Sequence, residues 1–338
     1  MLRLTPRLVV SLSIALTSIA QSPNPPLPPQ QFIELGDCPL DSGQAIHDCR
    51  LGYRTLGTLN PQKSNVVLIT TWAGGTTEQL VPSYAAMIDA QHDFTIFMDA
   101  FANGVSSSPS NSKSQPHMHF PQYTMRDLVR AEHRAITEKL GIAHLRAVMG
   151  SSMGGMQTFQ WLADYPDMMD YAVPIQGTPL QTPYNLITWQ MHLDGVMGSA
   201  DFHNGDYTSP PAAALRAEFG DVLLTSPDAF NREHAHEDVL AKLHAAAQTP
   251  GGQDANDMIR QTQSMMSIHV LDAAGRSKAK TLVIVDTRDL TVNPHTAIEW
   301  AQRSGAKLLK YDSDCGHLAS SCLGAEVAKQ VRDFLTTP

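Results

Sequence analysis

Short apolar runs alternate with segments of helical spacing along most of this chain. Apolar runs of about four to eight residues are typical of buried parallel strands. They lie at Asn65–Thr70, Asp93–Asp99, Leu145–Met149, Tyr171–Ile175, Thr281–Val285 and Lys307–Tyr311. Helical spacing covers Thr124–Leu140, which stops at Gly141, a segment ending near Ala163, and Gly324–Leu335. The alternation predicts an α/β fold with a doubly wound, mainly parallel sheet, preceded by an antiparallel opening at Phe32–Glu34 and Ala45–Tyr53.

One long internal stretch breaks this alternation. No strand-like run occurs between Thr178 and Lys278, a length greater than that of an ordinary connection. Its segments of helical character are Tyr184–Gly198, Ala212–Leu224, Glu237–Ala247 and Ala255–Ala273. We therefore predict a helical lid at 178–278, inserted into an α/β core formed by 32–177 and 279–338.

The amino-terminal residues have the order of a secretory signal peptide. Arg3 and Arg7 give a basic start, and Leu8–Ala20 is an uncharged apolar run that ends in small residues. The alternative is a membrane anchor, but the run falls short of the roughly 20 residues that span a bilayer. We predict a signal peptide at 1–20, a proline-rich leader at 21–31, and a secreted or periplasmic protein without stable membrane insertion.

Four cysteines form two close pairs, Cys38 with Cys49 and Cys315 with Cys322. An even number of cysteines in an exported chain favours disulfides. The second pair would restrain the loop that carries His317, and four buried thiols are the alternative. Neither pair has the CxxC spacing of a zinc site.

The net charge of the chain is −9, and its lysines and arginines form no continuous stripe. Binding to nucleic acid requires neutralisation of many phosphates by basic side chains. The charge pattern therefore argues against nucleic acid and against anionic lipid as partners.

The strongest chemical motif is Gly150-Ser151-Ser152-Met153-Gly154, followed by Gly155. It lies between a predicted strand and a predicted helix, which is the context that the G-x-S-x-G nucleophile elbow requires. A tight turn would expose the Ser152 hydroxyl, and the glycines at 150, 154 and 155 would let strand and helix approach. We predict Ser152 as the nucleophile; a glycine-rich turn without chemistry is the alternative.

A serine nucleophile needs a base and an orienting carboxylate, in the chain order Ser, acid, His for this fold. His317 follows the last predicted strand, where the base belongs. Asp289 follows the preceding strand and is the predicted acid. Asp286 is expected to belong to the strand end, and Asp312 and Asp314 lie in another loop.

An oxyanion requires two backbone N–H donors. The first is predicted to be that of Met153, directly after the nucleophile. The second is expected in Thr71–Gly75, after the first buried strand, with Ala73 as the best candidate. The two glycines of that loop could instead serve a turn. Trp72 belongs to this loop, lies beside the predicted oxyanion hole, and is a candidate for shaping the acyl pocket.

Several segments together resemble the homoserine O-acetyltransferase-like branch of the α/β-hydrolase superfamily. They are GYRTLGTLNPQKSNVVLITTWAGG, FANGVSSSPSNS, LGIAHLRAVMGSSMGGMQTFQWLADYPD, and DLTVNP through CGHLAS. The resemblance covers most of the chain from about Phe32 and implies Ser152, Asp289 and His317 as the triad, with acyl transfer through an acyl-serine. The Thr71–Gly75 loop lacks the histidine of the biosynthetic transferases, and their arginine-bearing lid segment has no counterpart in Ala212–Glu233.

These features predict serine-dependent hydrolysis of small acetyl-type esters, with a small-molecule ester as partner and with no cofactor or metal. Acetyl-CoA is a large polyanion that is not expected outside the cytoplasm, which favours water as the acceptor. One alternative is an O-acyltransferase of the homoserine O-acetyltransferase type. Another is a non-catalytic binding protein on the same fold. A homodimer is left open.

Overall fold

The computed structural model of the chain describes residues 27–247 and 252–336. The predicted signal peptide at 1–20 and the leader as far as residue 26 lie outside these residues. No helix within the two described ranges is long and apolar enough to cross a bilayer.

Eight strands form one sheet in the described part of the chain. They are β1 (Gln31–Pro39), β2 (Ala45–Leu56), β3 (Val66–Thr70), β4 (Phe94–Met98), β5 (Leu145–Ser151), β6 (Met169–Ile175), β7 (Lys280–Asp286) and β8 (Lys307–Tyr311). Their order is β1-β2-β4-β3-β5-β6-β7-β8. The first two strands run antiparallel, β2 pairs antiparallel with β4, and all later neighbours are parallel. The predicted α/β class with its mainly parallel sheet is confirmed.

The helices alternate with the strands and cover both faces of the sheet. They are α1 (Thr77–Tyr84), α2 (Met125–Arg134), α3 (Met153–Asp164), α4 (Pro183–Met197), α5 (Ala213–Leu224), α6 (Pro227–Glu233), α7 (Val239–Ala247), α8 (Ala255–Met266), α9 (His295–Ser304), α10 (Ala319–Cys322) and α11 (Gly324–Thr336). Two apolar clusters of buried side chains lie on the two sides of the sheet, because its central strands carry apolar residues on both faces.

Helix α2 begins at a capping box, in which Thr124 and Asp127 bond each other's side chains and backbone N–H groups. It continues as a π-helical segment over Ala135–Lys139, and Gly141 then takes a positive φ of 62°. The predicted helix and its stop at Gly141 agree with this arrangement.

Helices α4 to α8 lie between β6 and β7, in the stretch where the sequence predicts a lid. Their own small apolar cluster contains Leu193, Val196, Phe202, Ala255 and Ile259. The helix predicted over Ala255–Ala273 is wrong in its second half. Helix α8 ends at Met266, and the next residue, Ser267, donates its hydroxyl to the Ser264 carbonyl and accepts the Met125 N–H.

Both cysteine pairs form disulfides. Cys38–Cys49 joins the antiparallel strands β1 and β2, and Cys315–Cys322 closes a short loop after β8. The alternative of four free thiols is therefore not what the structure contains.

Candidate active site

The backbone at Ser152 forms a strained turn between β5 and α3. Its φ of 58° and ψ of −120° lie outside the regions that a side chain prefers. A Cβ atom on Gly150 would lie 2.5 Å from Gly154, and one on Gly154 would lie 2.5 Å from the Thr70 carbonyl oxygen. A Cβ atom on Gly155 would lie 2.7 Å from the Ile175 carbonyl oxygen. All three glycines are therefore required by close packing of α3 on the neighbouring strands.

The structure brings the three predicted polar residues together. His317 Nε2 lies 2.9 Å from Ser152 Oγ, and His317 Nδ1 lies 2.7 Å from Asp289 Oδ2. The other oxygen of the carboxylate, Asp289 Oδ1, accepts the Val292 N–H at 2.8 Å. A carboxylate can only accept a hydrogen bond, so the neutral His317 imidazole carries its proton on Nδ1, next to Asp289. Its Nε2 is then free to accept the hydrogen bond of the Ser152 hydroxyl. The pair of His317 and Asp289 is almost wholly buried, with side-chain exposures of 9% and 1%.

The nearby carboxylates that the sequence also offered have other partners. Asp286 ends β7 and accepts the Arg288 N–H and the hydroxyl of Ser313. Asp314 pairs with Arg288 and Arg232. These carboxylates hold the loops after β7 and β8 together, whereas Asp289 faces the histidine.

One residue that sequence reasoning missed holds the histidine loop. Gln176 follows β6, is buried, and has a positive φ of 49°. Its Nε2 donates to the Gly316 carbonyl at 2.9 Å, and its Oε1 accepts the Ser320 N–H at 3.1 Å. The amide thus bonds the loop on both sides of His317. A polar residue directly after a buried strand was the signal that could have found it.

The loop after β3 contains Ala73, which the sequence predicts as the second oxyanion donor. The Gly75 N–H bonds the Trp72 carbonyl and closes a turn, and the Gly74 N–H donates to Gln261 Oε1 at 2.7 Å. Within the described residues, the Trp72, Ala73 and Met153 N–H groups have no hydrogen-bond acceptor. The glycines therefore do form a turn, and the Ala73 N–H within that turn has no acceptor among the described residues.

Trp72 lies at the edge of this loop and is half-buried. Its indole ring packs so closely over Gly75 that a side chain there would overlap it. The ring also touches the buried cluster on one face of the sheet. Packing thus accounts for part of its surface, and its predicted role in an acyl pocket stays a prediction.

A buried carboxylate under the loop ties it to the rest of the core. Asp99 accepts the Thr77 N–H and hydroxyl at 2.8 and 2.9 Å and an Asn103 amide N–H at 2.9 Å. The second proton of that Asn103 amide bonds the Gly75 carbonyl. Burial raises the pKa of Asp99 above its ordinary value, against the opposing effect of these donors.

The sequence and the fold match known proteins over most of their length. The model of the alpha/beta hydrolase fold family matches residues 65–321. This chain belongs to the α/β-hydrolase family. A probable esterase of Corynebacterium glutamicum is 37% identical over 316 residues, which cover 86% of this chain and 90% of that protein. An ethyl acetate hydrolase of Pseudomonas veronii is 30% identical, with 77% and 81% covered.

Acyltransferases and a solved esterase structure complete the comparison. A homoserine O-acetyltransferase of Methanococcoides burtonii is 29% identical, with 89% of this chain and 72% of that protein covered. The crystal structure of an acetylester hydrolase from Corynebacterium glutamicum superposes with a TM-score of 0.82 at 28% identity, covering 91% and 96%. The predicted resemblance to the homoserine O-acetyltransferase-like branch is confirmed, and the chain is an enzyme of the α/β-hydrolase family.

Proposed function

We propose that this enzyme hydrolyses small acetyl-type esters through an acyl-serine intermediate. The observation that carries the proposal is the continuous chain of hydrogen bonds from Ser152 Oγ through His317 to Asp289. The similarity to proteins named as an ethyl acetate hydrolase and an acetylester hydrolase supports the substrate class.

In the first step His317 Nε2 takes the hydroxyl proton as Ser152 Oγ attacks the ester carbonyl. Backbone N–H groups of Met153 and Ala73 stabilise the negative oxygen that forms. His317 then gives its proton to the leaving alcohol, which breaks the C–O bond and leaves the acyl group on Ser152. Asp289 holds the imidazole in the required tautomer and stabilises the imidazolium.

In the second step the same histidine activates water, and the acyl-serine is hydrolysed to the carboxylic acid. No metal or organic cofactor takes part in this sequence of bond changes. An O-acyltransferase would differ only here, because an alcohol such as homoserine would replace water. The similarity to homoserine O-acetyltransferases makes this the second candidate.

The test is turnover of p-nitrophenyl acetate and ethyl acetate, with and without homoserine, by the wild type and by Ser152→Ala. The esterase proposal expects acetate release by the wild type alone, at a rate that homoserine does not change. Intact-mass analysis after mixing should show an added acetyl group on the wild type and none on Ser152→Ala. Accumulation of O-acetylhomoserine would favour the transferase, and an inert wild type without an adduct would contradict both.

We further propose that the chain is exported, with cleavage near Ala20. Disulfides form and persist in oxidising compartments, and the structure contains two of them. Expression of the full chain in a bacterium, followed by amino-terminal sequencing of the protein outside the cytoplasm, tests this. A protein retained in the cytoplasm with its first residues intact would contradict export.

A further inference from the structure

The loop after β3 is held from the side of the nucleophile helix by Gln157. This residue lies on α3, one turn after Met153, and is fully buried. Its Nε2 donates to the Thr71 carbonyl at 2.9 Å and to the Met153 carbonyl at 3.2 Å. One amide group therefore bonds the two segments that carry the proposed oxyanion donors.

The same loop is held from the opposite side by Gln261 on α8. This residue is also buried, and its Oε1 accepts the Gly74 N–H at 2.7 Å. Its Nε2 donates to the Phe101 carbonyl at 2.8 Å, and Gln253 Nε2 donates to Gln261 Oε1 at 2.8 Å. Helix α8 thus restrains the loop through an amide that is itself fixed.

The two glutamines bond the peptide groups on either side of the Ala73 N–H. The Thr71 carbonyl belongs to the peptide group before Trp72, and the Gly74 N–H belongs to the one after Ala73. Peptide groups are planar, so fixing both neighbours restricts the plane of the peptide group that carries the Ala73 N–H. An oxyanion donor is effective only when its direction is set before the reaction.

We propose that Gln157 and Gln261 are positioning residues, which orient the Ala73 N–H toward the oxyanion from both sides. This inference rests on the proposed ester hydrolysis, because it names how the oxyanion site of that reaction is held. The sequence pattern marks neither glutamine, since each bonds the backbone of a loop far away along the chain.

A second observation argues that Gln157 serves more than the stability of the core. Its Oε1 is buried and has no hydrogen-bond partner within the described residues. A buried amide oxygen without a partner costs free energy. A methionine of similar length would avoid that cost, so packing alone would favour an apolar side chain here, and what the amide adds is its bonds to the Thr71 and Met153 carbonyls.

The first test is Gln157→Met, with Gln160→Met as the matched control. Gln160 lies on the same helix and is buried. Among the described residues, its amide donates only to Asp164. We expect Gln157→Met to lower kcat for p-nitrophenyl acetate about 10- to 100-fold, less than direct loss of an oxyanion donor. The KM should stay within about threefold and the Tm within about 5 °C, and Gln160→Met should keep the wild-type kcat.

A readout that a merely structural role would not change is the preference for an ester over the matching thionoester. The sulfur of a thionoester accepts hydrogen bonds more weakly than oxygen, so it gains less from the oxyanion site. We expect the ratio of kcat/KM for the two substrates to fall in Gln157→Met by about the same factor as kcat. An unchanged ratio in a folded variant would overturn the proposal.

The same measurements are made on Gln261→Met and on the double variant. If Gln157→Met does not fold, kcat and the ester preference of Gln261→Met still test the proposal. Because release of either side frees the same peptide group, the double variant should be no more than about twofold slower than the slower single variant. Wild-type kcat and ester preference in both folded single variants would overturn this inference. An inert wild type would instead contradict the proposed function.

Discussion

The serine and the histidine of this site are held by different kinds of contact. Ser152 is fixed by backbone packing, since α3 lies so close to β3 and β6 that Gly154 and Gly155 have no room for a side chain. Its N–H also bonds the Ile175 carbonyl at 2.8 Å. His317 lies on a loop after β8 that is held by the Gln176 amide and by the Cys315–Cys322 disulfide.

Contacts from the inserted helices also reach the histidine loop. The backbone of Gly316 lies against the Leu224 and Thr225 backbone at the end of α5. At the start of α6, the Ser226 N–H donates to the Asp314 backbone carbonyl and the Ser226 hydroxyl donates to the Asp314 carboxylate. The same carboxylate pairs with Arg288, which precedes Asp289 in the chain. The comparison indicates that Ser152 is placed by local steric fit, whereas the position of His317 depends on contacts between segments distant in the chain.

The largest effect is expected from removing the side chain of Ser152 or of His317. Removing both tests whether the two residues act as one unit. Ser152→Ala and His317→Ala should each lower kcat by at least about 10⁴-fold, and the double variant should lose little more. Steady-state rates with p-nitrophenyl acetate measure this. Multiplicative losses in the double variant would show that the residues act independently.

Gly154→Ala tests the steric fit on the serine side. The new methyl group would meet the Thr70 carbonyl oxygen at 2.5 Å, so strand and helix must separate. We expect the free energy of unfolding in urea to fall by about 1 to 3 kcal/mol or more. The control is Gly220→Ala in α5, where a Cβ atom meets nothing within 4 Å and where alanine should stabilise the helix.

The two disulfides test the histidine side against a region far from the reacting atoms. Loss of Cys315–Cys322 through paired Ser substitutions should free the His317 loop and lower kcat about tenfold. The matched pair of Ser substitutions at Cys38 and Cys49 should lower the free energy of unfolding by about 2 to 4 kcal/mol and leave kcat of the folded protein unchanged. Equal effects of the two pairs of substitutions on kcat would contradict the inference that only the Cys315–Cys322 disulfide holds the His317 loop.

A pH effect is expected beneath the nucleophile helix at Glu132. This residue is fully buried, accepts the Trp161 indole N–H at 2.8 Å, and has a second carboxyl oxygen without a partner in the described chain. Burial raises the pKa of Glu132 from 4.5 to about 8. The folded state therefore binds a proton that the unfolded state loses, and its contribution to stability falls as the pH rises from about 4.5 to 8.

Glu132→Gln should remove this dependence, because an amide needs no proton to remain neutral. We expect the stability of the variant relative to the wild type to rise by a few kcal/mol between pH 5 and pH 8, since each pKa unit of the shift is worth about 1.4 kcal/mol. Urea unfolding at both pH values measures the difference. A larger advantage at pH 5 than at pH 8 would contradict the sign.

The smallest effect is expected from the ion pairs that join α6 to the histidine loop. Asp228, Arg232, Arg288 and Asp314 are all partly exposed, and exposed ion pairs are weak and screened by salt. Arg288→Ala should lower kcat about two- to threefold at low salt and less at high ionic strength. A loss that is independent of salt would point to packing rather than charge.

The sequence by itself determined the alternation of strands with most of the helices, and it predicted Ser152, Asp289 and His317 as the triad. It could do so because apolar periodicity reports burial, and because the elbow needs glycines at fixed spacing beside the serine. It did not predict α1, α6, α9 and α10. Helices α1, α6 and α10 have eight residues or fewer, and α1 contains Pro82, so their local pattern is weak. Helix α9 has ten residues and a buried face that includes Trp300, and sequence reasoning missed it.

Only the tertiary structure decided how the reacting groups are held. Gln176, Gln157 and Gln261 act on backbone atoms that lie 80 to 190 positions away in some cases, and such bonds leave no periodic signal. The fold likewise decided which carboxylate contacts His317. Asp289 does so, rather than Asp286 or Asp314, because of the way the loops after β7 and β8 pack together. Strand, helix and elbow follow from local steric rules, whereas the direction of a side-chain amide depends on which distant carbonyl or N–H the fold places beside it.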